Sequence, residues 1–246
     1  MAKPYLIVSD IHLGAVPERT ERAFRDFLRF AAEEASGLLI NGDLFDFWFE
    51  YRTVIHGRHF RVLSALAEVV EAGVPVQFVG GNHDAWGGAF LRDEVGMTLV
   101  DGPIVVQLAG RRALVAHGDG VGRGDWKYRA LRRLIRHPLT VGAFRLLHPD
   151  WGSRIAQLAS STDVKLADHD PTAKSRASFI EAWAREQLAN DPSLDLVLAG
   201  HCHQPQLSAV APGRYYANTG DWIRHFTYLQ LPEVGEPELL RWPVGG

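Results

Sequence analysis

Five short segments of the chain carry side chains that bind metals and move protons. They are Ser9-Asp10-Ile11-His12, Gly42-Asp43, Gly80-Gly81-Asn82-His83-Asp84, Ala116-His117-Gly118-Asp119 and Gly200-His201-Cys202-His203. Singly, each reads as an ordinary loop, and Asn-His-Asp after Gly-Gly is a common turn composition. Together they supply acids, imidazoles and one amide, each beside a glycine whose missing Cβ lets backbone and ion approach closely. Asp10, His12, Asp43, Asn82, His117, His201 and His203 make a donor set of oxygen and nitrogen only. That mixture suits Mn²⁺, Fe²⁺ or Zn²⁺ better than Ca²⁺ or a thiolate site. So many donors exceed the needs of one ion and match two that share a carboxylate, for which Asp43 is the candidate. Two ions about 3.5–4 Å apart clamp the attacking and leaving oxygens of a phosphoryl hydrolysis. They also acidify a bound water and offset charge growing on the phosphate. His83, next to the ligand Asn82, can face a phosphate and stabilise the transition state or protonate a leaving oxygen, with Asp84 holding its tautomer.

Such dispersed residues need a scaffold that gathers them. Apolar runs at Tyr5–Ser9, Leu38–Asn41, Val76–Gly80, Ile104–Leu108, Ala113–His117 and Leu194–Gly200 predict strands buried on both faces, most of them ending in Gly, Asp, Asn or His. Closing strands are expected at Tyr215–Ala217, Thr227–Leu231 and Glu238–Trp242. Between the early strands, Phe24, Phe27, Leu28 and Ala31 share one helical face, as do Phe60, Leu63, Leu66, Ala67 and Val70, with Gly73 and Pro75 as the stop. The alternation predicts layered α/β architecture, in which ligands bind beyond the carboxyl ends of strands. Residue direction alternates in an extended segment, so Cys202 should turn away from the ions that flanking His201 and His203 face. His56, His59, His137, His148, His169 and His225 read as surface or packing residues.

From about Asp125 to Leu188 the pattern is helical only, broken at Pro138, Pro149 and Pro171. An insertion of this length is commonly a lid, here expected over about 125–190 of a single domain spanning 1–246. Between Trp126 and Arg154, seven basic residues (Lys127, Arg129, Arg132, Arg133, Arg136, Arg145, Arg154) face one acid, Asp150, among leucines and aromatics. Cationic and apolar groups side by side suggest contact with a lipid surface.

The 246 residues are 46% hydrophobic and 22% charged, which excludes disordered and collagen-like classes and leaves enough apolar surface for a core. A net charge of -3 argues against nucleic acid as partner. A single cysteine excludes an intrachain disulfide and suits a reducing compartment. No signal-like segment and no apolar run of about 18 residues is visible. The expectation is a cytoplasmic protein touching a membrane only at its periphery.

Asp10-x-His12, Gly42-Asp43, Gly81-Asn82-His83-Asp84, His117 and Gly200-His201-x-His203 resemble, as a set and in order, the signature blocks of the calcineurin-like metallophosphoesterases. The resemblance implies a four-layer αββα sandwich with a dinuclear centre on one edge. It also implies Asp10, His12, Asp43 and His203 on one ion, and Asp43, Asn82, His117 and His201 on the other, with Mn²⁺ as the expected metal. Ser9 to Gly14, Gly42 to Trp48 and the helical insertion are similar to the subgroup that hydrolyses UDP-2,3-diacylglucosamine to lipid X and UMP in lipid A synthesis. By that likeness Asn82, His83, His201, Trp48 and Asp125 lie around a lipid-linked UDP-sugar at the inner face of the inner membrane. His83 departs from the enterobacterial members, which carry Arg there. The alternatives are the same chemistry on another phosphoester (a nucleotide, another lipid or a phosphoprotein) and a scaffold without catalysis, which seven competent donors disfavour.

Overall fold

The computed structural model describes residues 2–122, 126–159 and 173–244. One sheet runs in the order β11 (Glu238–Arg241), β10 (Thr227–Leu231), β1 (Tyr5–Val8), β2 (Gly37–Asn41), β3 (Val76–Val79) and β4 (Thr98–Val100). Strands β1 to β4 are parallel, and β10 and β11 close the edge antiparallel. The second sheet runs β5 (Ile104–Leu108), β6 (Arg111–Val115), β7 (Leu196–Ala199), β9 (Arg214–Asn218) and β8 (Gln206–Ala211), with β6, β7 and β9 parallel at its centre.

Strand β1 shows why the two sheets stack. Its side chains alternate, and all four are buried. Leu6 and Val8 join the cluster under the helices, whereas Tyr5 and Ile7 meet Val115, Leu198 and Ala217 of the other sheet. The outer face of the first sheet is covered by α1 (Glu18–Glu34) and α2 (Phe60–Glu71). Phe24 and Phe27 pack there against Trp222, with ring centroids 5.1 Å away in each case. The outer face of the second sheet is covered by α6 (Ala173–Asn190) through Ile180, Ala184 and Leu188. Helix, sheet, sheet and helix make four layers, as the family resemblance implies.

Details differ from expectation in three places. The buried face of α2 is Val62, Leu63, Ala65, Leu66 and Val69; Phe60, the first residue of the helix, lies off that face and is 67% exposed. Strands β4 and β8 escape the apolar-run reading because one is three residues long and the other is an only partly buried edge. Finally, the helical stretch divides. Helices α3 (Trp126–Ile135), α4 (Pro138–Phe144) and α5 (Pro149–Ala159) form one group, while α6 belongs to the sandwich. Pro138 and Pro149 begin helices rather than merely interrupting them, at the first turn where a missing N–H costs nothing. The Nδ1 atoms of His137 and His148 accept from the N–H of Leu139 and Asp150 as caps. Asp125, His169 and Pro171 lie outside the described residues.

Candidate metal centre

The parallel strands β1, β2, β3, β6, β7 and β9 all deliver their carboxyl ends to one edge of the sandwich, and every expected ligand lies just beyond one of these ends. Asp10 and His12 follow β1, Asp43 follows β2, Asn82 and His83 follow β3, His117 follows β6, and His201 and His203 follow β7. Among the described non-glycine residues, seven have positive φ, and five of them are Asp10, His12, Asp43, His201 and His203, at 52° to 67°. A left-handed residue costs about 1–3 kcal/mol and persists where surroundings enforce it, commonly at a functional site.

Three groups of donor atoms come within 4.8 Å of one another: Asp10, His12 and His203; Asp43, His117 and His201; and His12, Asp43 and His83. In the first, His203 Nε2 stands 3.2 Å from Asp10 Oδ1 and 3.3 Å from His12 Nε2. In the second, His117 Nε2 stands 3.3 Å from Asp43 Oδ2, which also lies 3.7 Å from His12 Nε2. One carboxylate oxygen therefore faces both groups. Its partner oxygen, Oδ1, accepts from the His83 N–H at 3.0 Å and fixes the orientation. The backbone N–H of His201 donates to both Asp10 oxygens, and the Ser9 hydroxyl donates to Oδ2 at 2.6 Å.

The donor chemistry fits cations. Asp43 Oδ2, Asn82 Oδ1 and His117 Nε2 are buried with no hydrogen-bond partner, a costly condition unless an ion satisfies them. His117 Nδ1 is 2.8 Å from the Asn41 carbonyl, so that nitrogen carries a proton and leaves Nε2, facing Asp43, as the atom that would give up its own proton to take a metal. Burial opposes charge on His117, yet Asp43 and then Asp10 and Asp119 push it up to about 10. Burial likewise opposes ionised Asp10 and Asp43. The imidazoles of His203 and His117 outweigh it at Asp10, and those of His117, His83 and His12 at Asp43, holding both acids below the usual carboxylate range. The pocket favours positive charge wherever it can be placed.

Glycine is required where strands converge. A Cβ on Gly81 would stand 2.2 Å from Asp43 Oδ1, and one on Gly42 would stand 2.3 Å from His117 Nδ1. Gly81→Ala is therefore expected to displace Asp43 and weaken ion binding by about 10–100-fold, the scale seen when a ligand's support is lost. Titration of the purified protein with Mn²⁺ by calorimetry checks it.

Two expected substrate-side roles are corrected by the structure. Asp84 does not hold His83. Its carboxylate is buried and accepts from the N–H of Asp43, Phe45 and Gly81, tying two ligand loops together. Burial and the Asp43 charge push its carboxyl up to about 7. His83 Nδ1 lies instead 2.8 Å from the backbone carbonyl of Asp46 and 3.5 Å from its carboxylate, which is 3.6 Å from His12 Nδ1 as well. Trp48 is fully buried, stacked on Phe45 at 4.5 Å, with its N–H on Glu50, so it is a core residue out of reach of substrate. Cys202 does turn away, into the apolar layer under α6, where burial pushes its thiol up to about 11. Sequence reading missed Asp46 and Asp221. The latter follows glycine at the end of β9, the same signature that marks Asp43. His225, read as a surface or packing residue, sits 3.1 Å from Asp221.

This edge-on donor set between two sheets is a candidate metallophosphoesterase centre. The calcineurin-like phosphoesterase family matches residues 3–205, and the chain belongs to that family of hydrolases. It is 32% identical over 245 residues to a UDP-2,3-diacylglucosamine hydrolase of Porphyromonas gingivalis, covering 93% of this chain and 94% of the relative. It is 30% identical to a UDP-2,3-diacylglucosamine hydrolase of Ralstonia nicotianae over 225 residues, covering 89% and 84%. The fold is also that of GAP50, the anchor in the inner membrane complex of Plasmodium, at TM-score 0.50 and 12% identity, with 99% of this chain and 87% of that one covered.

Proposed function

We propose that the protein hydrolyses the pyrophosphate of UDP-2,3-diacylglucosamine, releasing UMP and 2,3-diacylglucosamine 1-phosphate, with two Mn²⁺ ions. The observation that carries the chemistry is Asp43 Oδ2 facing both donor groups. The substrate class follows from the relatives' activity over most of their length. Bound at these donors, two divalent ions supply Lewis-acid charge stabilisation and an acidified water. The protein's own residues do the rest. His83, held at Nδ1 by the Asp46 carbonyl, orients the phosphate and meets charge developing on its oxygens. Asn82 and His201 flank the same phosphate, and Asp125 serves the nucleotide or sugar end.

Helices α3 to α5 support a lipid substrate in a lid role. Arg132 pairs with Asp119 at 3.5 Å, and Arg129 donates to the carbonyls of Gly120 and Gly122, which fixes α3 beside the loop after His117. Trp86 donates to the Ile135 carbonyl at its other end. Phe144 of α4 packs on Phe47, Phe49 and Trp86, with centroids 4.6–6.1 Å apart. A cleft of about 460 Å³ adjoins this aromatic wall, lined by Phe49, Trp86 and Val141 together with the charged Glu50, Asp101, Arg136 and Arg145. Buried acyl CH₂ groups are worth about 0.8 kcal/mol each. Outside, Leu139 and Leu146 are 78% and 89% exposed, and Trp151 is exposed beside Arg154. Among the described residues no helix is long and apolar enough to cross a membrane. These side chains suit peripheral contact with the inner membrane surface, each cationic residue adding about 1 kcal/mol near anionic lipid.

The test is incubation of the Mn²⁺-loaded protein with UDP-2,3-diacylglucosamine. UMP release supports the reading. No UMP, with brisk cleavage of an aryl phosphodiester, redirects it to another phosphoester. The lid makes a separate prediction: Phe144→Asp with Leu147→Asp is expected to cut lipid-substrate turnover by about 30-fold or more, since burying such a side chain is worth about 2–3 kcal/mol. Aryl phosphodiester turnover by the same variant should stay within about twofold of the parent, and parallel kinetics on the two substrates check it.

A further inference from the structure

We propose that Asp221 is the positioning residue for the ion held by Asp10, His12 and His203, fixing the His203 ring so that Nε2 faces the cation. The two carboxylate oxygens divide the work. Oδ1 accepts from the N–H groups of Ile223, Arg224 and His225 at 2.8–3.1 Å and anchors the carboxylate in the turn after β9. Oδ2 stands 3.5 Å from His203 Nδ1 and 3.1 Å from His225 Nδ1. The opposite nitrogen of His203 looks into the donor group, 3.2 Å from Asp10 and 3.3 Å from His12. A carboxylate behind a ligating imidazole holds the proton on the far nitrogen, fixes the ring plane and raises ligand basicity. Asp221 is almost fully buried, and the Trp222 N–H donates to the Asp10 carbonyl, so the turn is locked to the loop that carries the other ligands. His225 shares Oδ2 and steadies it from the more exposed side. The second group, Asp43, His117 and His201, has its own support in the Asn41 carbonyl, so the two cations should depend on different residues.

The proposal rests on the two-ion reading, which fails separately if the unaltered protein takes up no ion. Asp221→Asn keeps one oxygen for the turn and presents an amide N–H₂ to His203, which favours the wrong tautomer. Calorimetric titration with Mn²⁺ should show one of two ions weakened about 10–100-fold while the other binds as before. His225→Gln should shift that same ion by less. Equal binding of both ions, or equal weakening of both, in Asp221→Asn overturns the proposal. A second measurement needs no variant: ¹⁵N shifts of the imidazoles in the Zn²⁺-loaded full-length protein should show His203 protonated at Nδ1 and metal-bound at Nε2. Metal on Nδ1 overturns it whatever the variants do.

Discussion

Asp43→Asn should lower phosphoester turnover by about 10³-fold or more, the upper scale for losing one preorganised electrostatic partner, and reduce bound Mn²⁺ from two ions per chain to one or none. The reason lies in how the two oxygens are used. Oδ1 is committed to the His83 N–H at 3.0 Å, and only an acceptor satisfies that donor. The substituted amide therefore keeps its oxygen there and turns N–H₂ toward His117 and His12, where Oδ2 now stands at 3.3 and 3.7 Å. A donor then occupies the one position that both ions would share. Metal analysis after equilibrium dialysis, read beside single-turnover rates, checks both halves. Two ions retained at full rate would refute a shared carboxylate at this position.

His83→Ala should cost about 10²–10⁴ in kcat, the range for a positioned acid or charge-stabilising group, while both ions stay bound. His83 touches the shared carboxylate through its backbone N–H and the Asp46 carbonyl through its ring. Truncating the ring leaves the backbone contact intact. A series of aryl phosphodiesters separates the two roles open to it. A constant defect across leaving groups identifies charge stabilisation, and one that shrinks as the leaving group improves identifies proton donation. Loss of an ion from this variant would make His83 a ligand, as its proximity to His12 and Asp43 allows.

The candidate metal ligands were legible because their chemistry and their place coincide. Apolar runs announce buried strands, and acids and imidazoles beside glycine at the ends of those runs have few other reasons to recur. The edge strand β8 was not legible, since half-exposed edges lack a continuous apolar signature. Nor does one dimension reveal what a loop does with neighbouring residues. Asp84 adjoins His83 in the chain, but its side chain turns inward to three backbone N–H groups, leaving the imidazole to Asp46. Trp48 belongs to a motif full of site residues, yet a large aromatic gains most from full burial. Asp221 carries the same glycine-acid signature just past an apolar strand, but only the fold brings it to His203 and His225.

Asp10, His12, Asp43 and Asn82 come from loops of the first sheet, and His117, His201 and His203 come from loops of the second. Cations gripped by both would rivet the sandwich along its seam. Ligands that bind only the folded form stabilise it by mass action, about 2.7 kcal/mol at a hundredfold excess over Kd. Stripping the protein with a chelator should thus lower its melting temperature and open the seam to proteolysis, so divalent metal supply would govern how long the molecule survives as well as how fast it turns over.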